Sequence, residues 1–250
     1  MFADAYEKAT KFMAPVIVSV QRNAGDVQTG LGAFVFLNAD GWIATAGHIV
    51  DMYNRMAAQP HRSIWWGNDG LQAAEMYVYP DADLALCRLD PVDASRLEAI
   101  PTFKTPGNLR PGTSLLKLGY PFHAPTATYD ATADTFRLDP GAVPCPVFPI
   151  DGIFTRTAEI GTSPNGYPLK LIETSSPGLR GQSGGPTVDR DGVVWAIQSQ
   201  TRSWALGIRP EVQQDGESVA EHQFLNTGLG IHPETLQAIF AKHSISVQWS

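Results

Sequence analysis

The 250-residue chain has only two cysteines, Cys87 and Cys145. That is too few for a disulfide framework; one bridge between them stays open, and two buried thiols are the expectation. Charge is sparse as well, at 17% of residues, while hydrophobic residues make up 43%. This balance excludes a disordered, self-repelling chain and supplies apolar side chains for a sizeable core. Positive charge is the scarcer sign: 18 Lys and Arg against 25 Asp and Glu leave a net charge of −7, which argues against nucleic acid as a partner. No apolar run approaches the roughly 18 residues a membrane span needs, and the stretch at 12–20 is broken by Pro15 and Ser19. Nor does that stretch read as a signal peptide, because Asp4 and Glu7 precede a short apolar core. No membrane partner is expected, and the chain as written is expected in the cytoplasm. HExxH, CxxC and Walker A patterns are missing too, so no metal and no cofactor is implied.

What is abundant is turn chemistry, with 23 Gly and 19 Pro spread along the chain. They separate short β-rich runs at 16–20, 31–37, 42–46, 63–66, 74–79 and 84–89, and a second set at 114–118, 153–158, 169–173, 186–188, 193–201 and 224–231. Asp40-Gly41 and Asp191-Gly192 supply tight turns, the first a favoured hairpin pair because a type I′ turn needs positive φ at both central positions. Helices are few. Residues 4–13 have amphipathic spacing, Pro91 suits the first turn of a helix at 90–97 capped by Asp90, and Leu236, Ile239 and Phe240 mark one face of a closing helix at 233–243. Strands outnumber helices and do not alternate with them, which predicts two antiparallel barrels or a sandwich, with a linker at 101–111. Segments 121–149 and 206–222 read as long surface loops, and no internal repeat is evident.

The hexapeptide from Gly181 to Pro186, Gly-Gln-Ser-Gly-Gly-Pro, is the most informative motif. Glycines around Ser183 let a backbone approach substrate and turn N–H groups inward, as a nucleophile with an oxyanion hole requires. Such a serine needs a base and an orienting carboxylate. His48, at the end of the strand Trp42-Ile43-Ala44-Thr45-Ala46, supplies the first. Asp83, immediately before the apolar run Leu84-Ala85-Leu86, supplies the second, with Asp81 as its rival. The G-x-S-x-G pattern also fits the nucleophile elbow of α/β-hydrolases, but the residues after Ser183 spell strand and turn where that elbow needs a helix.

Three motifs in the order His, Asp, Ser resemble a trypsin-like serine peptidase of the chymotrypsin fold. Residues 32–48 together with Asp83-Leu84-Ala85-Leu86 are most similar to the bacterial HtrA/Deg-like catalytic domain, and since the chain as written stops at Ser250, the expectation is that domain without a PDZ domain. The resemblance implies an all-β fold of two six-stranded antiparallel β-barrels with short N-terminal and C-terminal helices. Residues 1–103 would form the first barrel, carrying His48 and Asp83, and 104–250 the second, carrying Ser183. It implies Ser183 as nucleophile, His48 as general acid and base, Asp83 as its orienter, and the N–H groups of Gly181 and Ser183 as the oxyanion hole. Pro177 would lie near the base of the primary specificity pocket, and Ser199, Gln200 and Thr201 would pair with substrate backbone.

The chain departs from the digestive branch at Gln182, where an aspartate would pair with a freshly cut N-terminus. Activation by that ion pair is not expected, and 176–180 is expected as a mobile oxyanion loop. No charge is expected at the pocket floor, which predicts cleavage after small or medium uncharged residues. The expected function is a serine endopeptidase acting on protein or peptide substrates, with latency until an activating protein partner binds as one expected mode. The alternative is a binding or signalling module of the same fold without constitutive turnover. Trp65, Trp66 and Trp195 are expected to pack the barrels, and His123, His222, His232 and His243 to lie at the surface.

Overall fold

The computed structural model describes residues 2–23, 26–56, 61–68, 70–90, 98–107, 109–214 and 217–250. Strands β1 (Met13–Asn23), β2 (Asp26–Phe36), β3 (Trp42–Ala46), β4 (Arg62–Trp66), β5 (Gln72–Tyr79) and β6 (Leu84–Asp90) form one antiparallel sheet in the order β4-β1-β2-β3-β6-β5. A bridge between Trp66 and Leu71 draws its two edges together. The apolar runs of these strands are nearly continuous because both faces are covered. Val16, Val18 and Val20 point into the first barrel beside Phe34, Ile43 and Trp66, whereas Ile17, Leu84 and Leu86 on the opposite face join the core shared with the second half. Each such side chain contributes roughly 1.5–3 kcal/mol of burial free energy.

The second half comprises β7 (Thr102–Phe103), β8 (Ser114–Gly119), β9 (Ala127–Asp130), β10 (Thr135–Leu138), β11 (Phe148–Thr162), β12 (Pro168–Thr174), β13 (Pro186–Val188), β14 (Val194–Ala205), β15 (Glu211–Gln214), β16 (Glu217–Ala220), β17 (Phe224–Ile231) and β18 (Gln248–Trp249). Six of them close a ring, β13-β8-β11-β12-β17-β14, through the β13–β14 pairing. Numbered within each half, both barrels run 1-2-3-6-5-4, an architectural repeat that leaves no trace in the sequence. The two short strands β7 and β18 extend the second sheet in parallel from β14. Helices α1 (Ala3–Ala9) and α3 (Pro233–Lys242) are the expected short terminal helices, and α2 (Gly47–Arg55) lies between them in the chain. Cys87 and Cys145 are both buried and unbridged.

Some expectations need correction. The segments at 121–149 and 206–222 are not plain loops, for each carries a hairpin, β9–β10 and β15–β16. The first was hidden because its turn uses aspartates where glycine is the usual signal. Asp134 takes the left-handed conformation at φ 51°, and Asp130 Oδ1 accepts from Thr132 N at 2.9 Å. This hairpin docks on the first barrel. Tyr129 packs at a tilt against His61 with ring centres 4.2 Å apart and donates to Asp134 at 2.6 Å, while Phe136 meets Trp65 edge-on. His232 is buried, not superficial: it caps α3 by accepting from Glu234 N at 3.1 Å, and burial pulls its pKa down to about 4, so it stays a neutral acceptor. His243 packs against Tyr77 and Tyr79 and so pins the C-terminal helix to the first barrel. The helix expected at 90–97 falls outside the described residues, apart from Asp90.

Candidate active site

The register of β3 against β6 builds one half of the site. Ala46 pairs with Leu84, so the chain leaving β3 runs beside the chain entering β6. Gly47 N donates to Asp83 O and His48 N to Asp83 Oδ1, each at 2.8 Å. Asp83 thereby satisfies the first N–H groups of α2, whose own N-cap residue, Ala46, has no side chain able to do so. The helix that follows β3 makes His48 its second residue, not the end of the strand.

Asp83 sits in a left-handed conformation, φ 51°, at the end of a short turn through Pro80–Ala82, a conformation that aspartate tolerates better than most residues. Its two carboxylate oxygens both lie 3.0 Å from His48 Nδ1, and Oδ2 also accepts from Ser199 Oγ at 2.5 Å. Burial alone would push the Asp83 carboxyl up, yet the His48 hydrogen bond and charge and the Ser199 hydroxyl together hold it below its ordinary value. The hydrogen bond to Asp83 raises His48 above 6.5 against the opposing effect of burial. A carboxylate bound at Nδ1 fixes the neutral imidazole with its proton there, leaving Nε2 as the acceptor.

The other half comes from the second barrel. Pairing of Pro186 with Ile197 sets the turn before β13 against β14, and Gly184 N donates to Gln198 O at 2.7 Å. Ser183 O accepts from Ala33 N at 2.8 Å, which ties this turn to the first barrel. Gly181 adopts φ +94°, and a Cβ there would lie 2.6 Å from Tyr120 O, so only glycine fits. Gln182 N is spent on Leu179 O at 2.9 Å, but Gly181 N and Ser183 N donate to no carbonyl among the described residues. Two unspent donors flanking one spent donor are what an anionic oxygen would require. Ser183 Oγ donates to Ser199 O at 3.5 Å and makes no hydrogen bond to His48.

His48, Gly181, Ser183, Ser199, Gln200 and Thr201 line one cleft between the barrels. Asp83 sits behind His48 in an adjoining hollow together with the rival Asp81, which makes no hydrogen bond to the imidazole. Pro177 does not line the cleft; its carbonyl turns inward. There it meets Lys117 Nζ at 2.7 Å, a buried charge behind this wall and not among the residues that line the cleft. Sequence reading missed two residues at this wall. Gln198 is buried and donates from Nε2 to Gln200 O and Leu229 O at 3.1 and 3.2 Å. Lys117 could have been noticed as a lone cation within Leu115-Leu116-Lys117-Leu118.

Comparison with known proteins gives a consistent picture. Residues 30–197 match the trypsin-like peptidase domain family. Among solved structures, the HtrA-type protease AlgW with a tripeptide is 20% identical with a TM-score of 0.58, covering 98% of this chain. The active form of the Rv3671c protease from M. tuberculosis is 15% identical with a TM-score of 0.58, covering 99% of this chain and 86% of its own. At these identities the likeness is one of fold. The chain spans 64% of the length of the AlgW chain. No curated protein matches it by sequence.

Proposed function

Because this chain belongs to the trypsin-like peptidase family, we propose that it is a serine endopeptidase in which Ser183 attacks a peptide carbonyl, His48 takes its proton and Asp83 holds the imidazole in register. The observation that carries this reading is the Asp83 carboxylate at 3.0 Å from Nδ1 of His48, a histidine that lines the same cleft as Ser183. In the attack, the Ser183 Oγ–carbon bond forms as the carbonyl electrons move to oxygen, which the Gly181 and Ser183 N–H groups receive. His48 then passes the proton to the leaving amine, and water hydrolyses the acyl-enzyme by the same relay. For this the Ser183 hydroxyl must exchange the Ser199 carbonyl for His48 Nε2. The extended segment Ser199-Gln200-Thr201 would receive substrate backbone by strand addition.

The pocket beside Ser183 favours small side chains. A Cβ on Gly178 would lie 2.3 Å from Gln198 Nε2, and Thr201 Oγ1 bridges to Gly178 O at 2.6 Å, so the two walls are stitched together. Casein digested by the purified protein should be cut mainly after small uncharged residues, with cleavage sites read by mass spectrometry. Cuts dominated by Lys, Arg or large aromatic residues at that position would overturn this specificity.

A second reading, a trypsin-fold binding or signalling module without constitutive turnover, has one observation in its favour: the Ser183 hydroxyl is bonded to Ser199 O and not to His48. Under it, casein stays intact until an activating protein partner is added. The division at residues 103 and 104 into a His48-bearing and a Ser183-bearing module belongs to this proposal, as does a cytoplasmic location, which the two unbridged thiols fit. Among the described residues no helix is long and apolar enough to cross a membrane.

A further inference from the structure

Lys117 is fully buried inside the second barrel. Its Nζ donates to Ser176 O at 2.5 Å, Pro177 O at 2.7 Å and Thr174 Oγ1 at 3.1 Å. An ammonium has three N–H donors, so all are spent on the wall that leads into the nucleophile segment. The same strand meets that segment again further on. Tyr120 N donates to Gly181 O at 2.9 Å, and a Cβ on Gly119 would lie 2.5 Å from Gln182 Cα. Strand β8 is therefore the template on which residues 176–182 are laid, and Lys117 is its charged anchor.

With Gln182 in place of a carboxylate, the only charge on the nucleophile segment is the exposed Arg180 at the cleft, so the segment has no buried charge of its own to order it. We propose that Lys117 is the positioning residue that does so, its buried ammonium holding the Ser176 and Pro177 carbonyls and with them the register in which Gly181 and Ser183 present their N–H groups. The proposal rests on the reading of Ser183 as nucleophile. Removing the amine leaves the Pro177 carbonyl without this donor and the Ser176 carbonyl with the Thr174 hydroxyl alone at 3.1 Å, a cost the segment relieves by moving; loss of the proton takes one of the three donors and the charge. Burial pulls Lys117 down to about 7, so its charge is lost as pH rises through neutrality. Among the described residues no titratable group faces it from the packed elements. Thr174 comes from β12, Gly228 from β17, and its ladder partners are Thr187 on β13 and Ile150 on β11. Glu173 turns its carboxylate to Thr155 and Arg156.

The test is the second-order rate of labelling by a fluorophosphonate from pH 5 to 10, for the wild type, Lys117→Met, Lys117→Arg and Ser183→Ala, with folding checked by circular dichroism. The wild-type rate should rise as His48 loses its proton, through a midpoint above 6.5, and fall again as Lys117 loses its own, a narrow bell. Lys117→Met should label at least about 50-fold more slowly at pH 7 and lack the alkaline fall, and Lys117→Arg should hold its rate to higher pH than the wild type. Folded Lys117→Met labelling at the wild-type rate overturns the proposal while the Ser183 reading stands. Wild type that does not label at all overturns both. Should Lys117→Met fail to fold, Lys117→Gln takes its place, and its labelling at the wild-type rate overturns the proposal in the same way.

Discussion

Ser183→Ala is expected to lower kcat on a fluorogenic peptide about 10⁶-fold, the scale seen when a serine nucleophile is removed from such a relay. The fold should survive the change. The hydroxyl makes a single 3.5 Å contact with Ser199 O, while the backbone groups that hold the turn, Ser183 O to Ala33 N and Gly184 N to Gln198 O, are untouched. The loss should therefore fall on kcat, with peptide affinity, read by fluorescence anisotropy, close to wild type. The residual rate, about 10³-fold over water, would come from the Gly181 and Ser183 N–H groups and from substrate positioning. A fall of less than about 100-fold would place the nucleophile elsewhere.

Asp83→Asn should cost about 10⁴-fold in kcat. The carboxylate accepts at once from His48 Nδ1, His48 N and Ser199 Oγ. An amide has one acceptor oxygen, and its NH2 group facing Nδ1 would stabilise the tautomer with the proton on Nε2, which cannot accept from Ser183. Stability should drop as well, by about 1–3 kcal/mol, because the start of α2 loses a charged acceptor. The pH dependence supplies a second signature. The Asp83 hydrogen bond and charge raise His48, so their removal should move the acid limb of the residual activity to lower pH. An acid limb unmoved in Asp83→Asn, with kcat intact, would remove Asp83 from the mechanism.

Much of the fold was legible because its strands are local and uniform in pattern. The runs at 42–46, 84–89 and 186–188 fall within β3, β6 and β13 as observed; the β3–β6 register sets His48 beside Asp83, and the β13–β14 register holds the turn that carries Ser183 into the cleft His48 also lines. The hairpins β9–β10 and β15–β16 were illegible for a different reason: strands of four residues carry little periodic signal. Asp134 also replaces the glycine that would have announced the first turn. Helix α2 was missed because its N-terminal cap comes from Asp83, 35 residues away, so no local start signal exists. The wall beside Ser183 was the least legible part. Gln198 and Lys117 act there through partners more than 30 residues distant, Leu229 and the Ser176–Pro177 carbonyls, and spacing along the chain carries no record of that.

The most direct test of the account is intact-mass analysis of the folded protein after reaction with a fluorophosphonate. Its phosphorus forms a bond to Ser183 Oγ as fluoride leaves and His48 takes the proton. One adduct on the wild type, absent from Ser183→Ala and His48→Ala, is the predicted result. An adduct that persists in Ser183→Ala, or none on folded wild-type protein, would contradict it.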